Sequence, residues 1–345
     1  MSGGPRRVVR RRQPGCESAR RGGYDLRVTL KHVTVLLREA VDALAPAPGR
    51  RFLDVTAGGG GHTAALLAAG GRVLATDADA DAVARVRQRL ASDVAAGTLR
   101  VEQAWLDDAL AVAERCGMTP LDGVLADLGL SSFQLDEAER GFAFMRDGPL
   151  DMRFDRTRGH SAADWLEYND PAEIARVLRE YGDVQNARRI AEAIWAARPI
   201  RTTGQLRELV GAAAAVRSGR IHPATLVFQA LRIAVNDELR RLADALPPLI
   251  GALRPGGRIA VIAFHSLEDR IVKNAFRDLS RTVLPEPGFG DMRAQHAQLR
   301  ILTREPITPT DDEIAANPRA RSARLRVAER LAPVDDVVSP NPSND

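Results

Sequence analysis

Chemistry first becomes legible in a run of glycines between two apolar segments, Asp54-Val55-Thr56-Ala57-Gly58-Gly59-Gly60-Gly61-His62. Glycines let backbone N–H groups approach a ligand without side chains in the way, and a helix starting there favours negative charge. Alone, such a turn fits a nucleotide phosphate or a purely structural bend. Two acids narrow the reading. Asp77 follows Gly58 by nineteen residues and ends the next apolar segment; a carboxylate there can accept hydrogen bonds from a ribose diol. It is also placed to cap the following helix. Asp127 closes a further apolar segment and opens Asp127-Leu128-Gly129-Leu130-Ser131-Ser132. Trp105 offers a ring that can stack on a purine or simply fill the core. The Gly-Gly-His ending departs from the GxGxxG spacing of nicotinamide dinucleotide sites and disfavours an oxidoreductase.

These residues need elements to hold them. Arg51–Val55, Arg72–Asp77, Leu99–Ala104 and Leu121–Asp127 read as four short strands. Helical patterns lie before and between them, at Val33–Leu44, Thr63–Ala69 and Ala80–Leu90. Such alternation with short connections predicts an α/β, doubly wound Rossmann-like sheet, whose carboxyl ends open on one crevice. Asp54, Asp77 and Asp127 then meet there. From about 135 to 235 the pattern turns helical, with Pro171–Glu180, Asn186–Ala197 and Gln205–Ala215. Phe228, Leu231, Val235, Leu239, Leu242 and Leu246 step by 3, 4, 4, 3 and 4, which predicts one long amphipathic helix. The sheet resumes at Arg258–Phe264, and Leu299–Thr303 reads as a late edge strand. The expected organisation is a basic arm over 1–29, a sheet domain over 30–134 and 236–330, a helical insertion over 135–235, and a loose tail over 331–345.

Composition agrees with a water-soluble protein of sizeable core. The 345 residues are 45% hydrophobic and 27% charged, with net charge +4. No apolar run nears the ~20 residues of a membrane helix, so no membrane partner is expected. Cys16 and Cys116 are too few for a disulfide framework, which favours a cytoplasmic setting. Residues 1–29 carry eight arginines against Glu17 and Asp25, and 317–330 carry five against Glu329. Guanidinium groups suit phosphate forks; arginine-rich codon usage explains the composition equally well. No residue cluster has metal-ligand spacing.

Several segments resemble the small-subunit ribosomal RNA methyltransferase H family, also called MraW. They are His32-Val33-Thr34-Val35-Leu36-Leu37, the glycine loop, Asp127 to Asp136, Glu139 to Arg153, His222-Pro223-Ala224-Thr225, Phe228 to Leu239, Phe264 to Arg270 and Asn317 to Ala323. They run in order over about residues 32–327. The resemblance implies a methyltransferase sheet with a helical insertion. It implies S-adenosylmethionine as cofactor and the exocyclic N4 of a cytidine in the decoding region of 16S rRNA, in the small ribosomal subunit, as target. Cofactor contacts carried over by it are Gly60, Gly61, His62, Asp77, Trp105, Asp127 and Gln134; Trp105 stands where the family usually has Phe. Oligomeric state stays open. The other classes to weigh are an amino methyltransferase acting on DNA or another RNA, and a catalytically silent RNA-binding assembly factor.

Methylating a cytosine amino group requires alignment and a polar acceptor for an amino hydrogen, on a base drawn out of its stack. Asp127, Ser131 and Ser132 are candidates for the acceptor, Asp127 first. His265 either joins the catalysis or lies beside a Ser266–Asp269 helix cap. Arg140, Arg146 and Arg153, and the group Arg319, Arg321, Arg324 and Arg326, are candidate RNA contacts. Phe142, Phe144 and Met145 either stack on bases or pack the insertion.

Overall fold

Apolar segments at the six predicted strand positions, with a seventh the sequence reading did not foresee, assemble into one seven-stranded sheet in the computed structural model, which describes residues 1, 34–214, 222–283 and 296–333. The strands are β1 (Arg51–Asp54), β2 (Arg72–Asp77), β3 (Leu99–Gln103), β4 (Leu121–Asp127), β5 (Leu253–Ala263), β6 (Leu299–Ile301) and β7 (Arg324–Arg330). Their order is β3-β2-β1-β4-β5-β7-β6. β1 to β5 are parallel, and β7 runs antiparallel to both β5 and β6. The direction of winding reverses between β1 and β4, which puts the ligand crevice outside their carboxyl ends.

Side-chain alternation builds a core on each face of the sheet. Leu53, Val124, Ile259 and Val261 enter one apolar cluster, with Leu242, Leu246 and Phe276 from the covering helices. Phe52, Leu125, Ala260 and Ile262 enter the other, with Leu44, Leu66 and Val86. Residues from Phe142 to Leu231 form a third cluster, built from the helices Ala162–Tyr168, Pro171–Gly182, Ala187–Ala196, Thr203–Ala213 and Pro223–Asn236.

Two sequence expectations are corrected here. The single long helix is two, Pro223–Asn236 and Glu238–Gly251, parted at Asp237 with φ 53°. The apolar spacing survives because only one residue leaves the helical region, and Asp tolerates the left-handed conformation better than most residues. Asn236 is drawn sideways: its Oδ1 accepts from the Phe154 N–H at 2.8 Å, and its Nδ2 donates to the Met152 carbonyl at 2.7 Å. Arg232 grips Glu238 across the break at 2.8 and 2.9 Å. The first helix therefore packs in the third cluster while the second covers the sheet.

The second correction concerns β7, which the sequence reading treated as an arginine-bearing RNA contact. Leu325 and Val327 pack into the sheet core. Arg326 is only 7% exposed and pairs with Asp269 through two hydrogen bonds of 2.6 and 3.1 Å. Arg324 shares that acid at 3.2 Å. Arg326, so buried, cannot serve primarily as a phosphate hook; Arg324 remains half exposed. Arg319 bonds Asp136 at 3.0 Å, and Arg321 is exposed. Val33 and His32, the arm from Ser2, and the tail beyond Pro333 lie outside the described residues; the first helix begins at Leu37.

Truncating one member of a buried pair strands the other charge. Arg326→Ala should lower unfolding free energy by about 3 kcal/mol. A shift of the urea midpoint reads this, whereas a surface arginine would leave the midpoint within experimental scatter.

Candidate active site

At the carboxyl edge the sheet delivers three acids in three different states. Asp54 is 1% exposed and sits beneath the glycine loop rather than on the crevice wall. Its oxygens accept from the Thr56 N–H at 3.1 Å and the Thr63 hydroxyl at 2.6 Å. Burial pushes its carboxyl up to about 6, with those two partners opposing the rise. Asp77 lies on the wall. It accepts the Gly58 N–H at 2.8 Å and the Asp79 N–H at 2.9 Å. Burial, aided by the charges of Asp79 and Asp54, pushes it up to about 6 despite those bonds. The helix cap weighed as the alternative role of Asp77 is made by Asp79, which accepts from the Asp81 N–H at 3.0 Å.

Asp127 is the third. Its backbone N–H is held by the Thr56 hydroxyl oxygen at 2.6 Å. Its Oδ2 is 3.6 Å from Nδ1 of the buried His62. Its Oδ1 is shielded from solvent and has no hydrogen-bond partner. Burial, followed by the charges of Asp54 and Glu268, raises its carboxyl well above the ordinary range.

The loop between these acids is tightly specified. Gly60 takes φ 76° and precedes the helix Gly61–Ala68. A Cβ on Gly61 would lie 1.9 Å from the Thr34 hydroxyl, so no side chain fits there. Gly58, Gly59, Gly61 and His62 line the crevice, whereas Gly60 does not and shapes the turn from behind.

Trp105 lines the same crevice. The Arg241 guanidinium lies 4.1 Å over its ring, and Phe154 packs at 6.3 Å. Arg241 is fixed in turn by Asp107 at 2.6 and 2.9 Å. Gln134 also reaches the wall, but its amide is already engaged. It donates to Asp79 at 2.9 Å and accepts from the Ser131 N–H at 3.0 Å in a capping box.

Arg140 is a correction. It is 2% exposed and donates to Asp79 at 2.7 Å and to the carbonyls of Arg153 and Phe154 at 3.1 Å. It ties the chain after β4 to the end of β2 rather than gripping phosphate. Arg153 is held by Asp151 at 2.7 and 3.0 Å, and Arg146 donates to the Asp136 carbonyl at 3.1 Å. Phe142 is buried, and Phe144 packs on Phe228 at 5.1 Å. Met145 is exposed.

His265 is corrected too. The helix cap there is not Ser266 with Asp269; His265 itself is the cap, paired with Glu268. Sequence reasoning quoted Glu268, Glu238 and Asn236 within longer blocks without assigning them a place. All three line the crevice, as does Arg241. Their signal was a polar residue standing at the helix break or the first helical turn after β5. Among the described residues, no group of His, Cys, Asp and Glu is arranged to hold a metal ion, and no helix is long and apolar enough to cross a membrane.

A profile of the MraW methylase family matches residues 29–331. The chain belongs to that family. It is 49% identical over 308 residues to the "Ribosomal RNA small subunit methyltransferase H" of Thermomicrobium roseum, across 87% of this chain and 94% of that one. Identity to the protein of the same name from Anaeromyxobacter dehalogenans is 48% over 307 residues, across 87% and 98%. A solved rRNA methylase from Streptococcus thermophilus aligns with TM-score 0.40 at 11% identity, over 87% of this chain and 99% of that one. The protein is therefore a methyltransferase, and its cofactor is S-adenosylmethionine.

Asp54 and Asp77 titrate near 6 in the fold but near 3.9 when unfolded. Between those values the folded protein binds more protons than the unfolded chain, so stability from these groups falls as pH rises. Asp127 and Glu238 are raised as well and act in the same direction. The ligand-free protein should have a higher urea midpoint at about pH 5.5 than at about pH 7.5, and Asp54→Asn should remove part of the difference. Equal midpoints would contradict it.

Proposed function

We propose that the protein transfers a methyl group from S-adenosylmethionine to the exocyclic N4 of a cytidine in the decoding region of 16S rRNA, as a cytoplasmic enzyme of small-subunit maturation. The observation that carries the amino-group chemistry is Asp127 Oδ1, a shielded acceptor with no partner, on the wall that also holds Asp77 and the glycine loop. The rRNA substrate is supported by the names of the relatives.

The crevice suits this cofactor. Each Asp77 oxygen accepts one backbone N–H and keeps lone-pair capacity for a ribose hydroxyl. Gly61, with no room for a side chain, and Gly60, which sets the turn, let the backbone approach. His62 supports Asp127 from below. Trp105 provides a ring for the adenine, stiffened by Arg241. Gln134 acts by fixing Asp79 and Ser131. When bound, the cofactor supplies an electrophilic sulfonium methyl.

The chain's own task is then alignment and proton removal. A cytosine amino nitrogen is a weak nucleophile because its lone pair is delocalised into the ring. Asp127 Oδ1, accepting one amino hydrogen, orients the nitrogen lone pair and draws electron density toward it. As the new N–C bond forms, the methyl–sulfur bond breaks and its electron pair returns to the sulfur, which leaves as a neutral thioether; the nitrogen gains positive charge, and that hydrogen passes as a proton to Asp127. The products are a neutral methylated base and a protonated carboxyl.

The test is mass spectrometry of RNA after reaction with methyl-labelled cofactor. N4-methylcytidine should appear in 16S rRNA of unmodified small subunits. Label in DNA or elsewhere in RNA would overturn the substrate, and no label would favour the silent assembly factor. Asp127→Asn should lower turnover about 10²- to 10⁴-fold with little change in cofactor affinity. Undiminished turnover would remove Asp127 from the role.

A further inference from the structure

The proton acceptor does not stand alone in its wall. Glu268, on the helix Ser266–Leu279 after β5, is 2% exposed and borders the same crevice as Asp127. The reaction outlined above gives it no task. A buried carboxylate is costly unless fully engaged, and this one is held at both oxygens. Oε2 accepts from the backbone N–H of Phe264 at 2.8 Å and of His265 at 3.3 Å. Oε1 lies 3.1 Å from His265 Nε2 and 3.9 Å from an Arg232 nitrogen.

Burial alone would raise Glu268. The hydrogen bond and charge of His265, the charge of Arg232 and the Phe264 N–H outweigh it and hold the carboxyl below its usual value. Glu268 is thus a permanent negative charge. Arg232 makes its closer, bidentate contact with Glu238 and so only partly offsets that charge; His265, at 3.1 Å, offsets it only when its ring is protonated. Asp127 pairs with Ile262 across β4 and β5, and Glu268 accepts the Phe264 N–H two residues further on, so both acids stand at one end of the paired strands; the other charges acting on Asp127 are Asp54 and, at 3.6 Å, His62. Those facing Glu268 are His265, Arg232 and Glu238.

We propose that Glu268 is a positioning residue for methyl transfer: its fixed negative charge makes Asp127 a stronger acceptor for the amino proton. It acts through Asp127 without touching the base, and the inference rests on Asp127 being that acceptor. A negative charge beside a carboxylate favours its protonated form, so the acid holds the amino proton more firmly as the N–C bond forms. The cost is at low pH, where Asp127 arrives already protonated and the enzyme falls silent sooner.

The test compares wild type, Glu268→Gln and Asp127→Asn by two readouts. One is the ¹³C-carboxyl titration of Asp127 in cofactor-free protein, assigned by its loss in Asp127→Asn. The other is the acidic limb of the kcat profile. Glu268→Gln should move both to lower pH by about one pH unit and lower the plateau rate. Neither moving in a folded variant would overturn the proposal. Should Glu268→Gln not melt cooperatively, the wild-type titration decides. Two interacting acids titrate in coupled steps; Asp54 titrates near 6 and Glu268 below its usual value, so an elevated Asp127 curve with a second, more acidic inflection that persists in Asp54→Asn supports the proposal. A single step in the ordinary carboxylate range overturns it. If Asp127→Asn keeps full turnover, the acceptor reading itself has failed, and the titration still reports whether the two acids interact.

Discussion

Everything at the active end of this protein depends on carboxylates being taken out of water at the carboxyl edge of the sheet. Each must be matched by donors or be left unmatched for a reason. Asp54 is matched by Thr56 and Thr63, and in return it pins both ends of the glycine loop. Asp77 is matched by the loop's first glycine and by the turn that starts the next helix. Asp127 lines the crevice and keeps one shielded oxygen unmatched. The graded satisfaction of three otherwise similar acids is what the proposed division into scaffold, cofactor grip and proton acceptor rests on.

The same economy explains how the helical layer is held to the sheet. Asp79 receives Arg140 and Gln134 on one oxygen while capping a helix with the other. Arg140 then fixes the carbonyls of Arg153 and Phe154, and Phe154 packs beside Trp105. On the far wall, Asn236 catches the same segment from the helix break. The segment bearing Phe154 is therefore clamped from both sides of the crevice, so the wall facing the loop is set by hydrogen bonds rather than by apolar packing alone.

Much of this was legible in the sequence, because strand periodicity and the acids at strand ends are local signals. β1 to β5, the glycine loop, Asp77 and Asp127 needed no tertiary information. What escaped was decided by partners far along the chain. Arg140 and Arg326 read as surface cations until Asp79 and Asp269 were brought against them. β7 was hidden because its arginines suggested polyanion binding more loudly than Leu325 and Val327 suggested a strand. The break at Asp237 left the apolar spacing intact, so periodicity could not see it. Glu268 looked like an ordinary first-turn acid, and only the pairing of β5 with β4 brought its helix to the strand end that carries Asp127.

On the proposed reading, burial-poised acids, Asp77 first among them, grip the cofactor. Calorimetric titration of S-adenosylmethionine into the wild type and Asp77→Asn across the pH range around 6 tests it most directly. Asp77 must be ionised to accept the ribose hydroxyls strongly, and its carboxyl sits at about 6. Wild-type affinity should therefore fall as pH drops through that value. Asp77→Asn should bind weakly with little dependence on pH. Equal affinity in the two proteins, or a wild-type affinity indifferent to pH across that range, would contradict the claim.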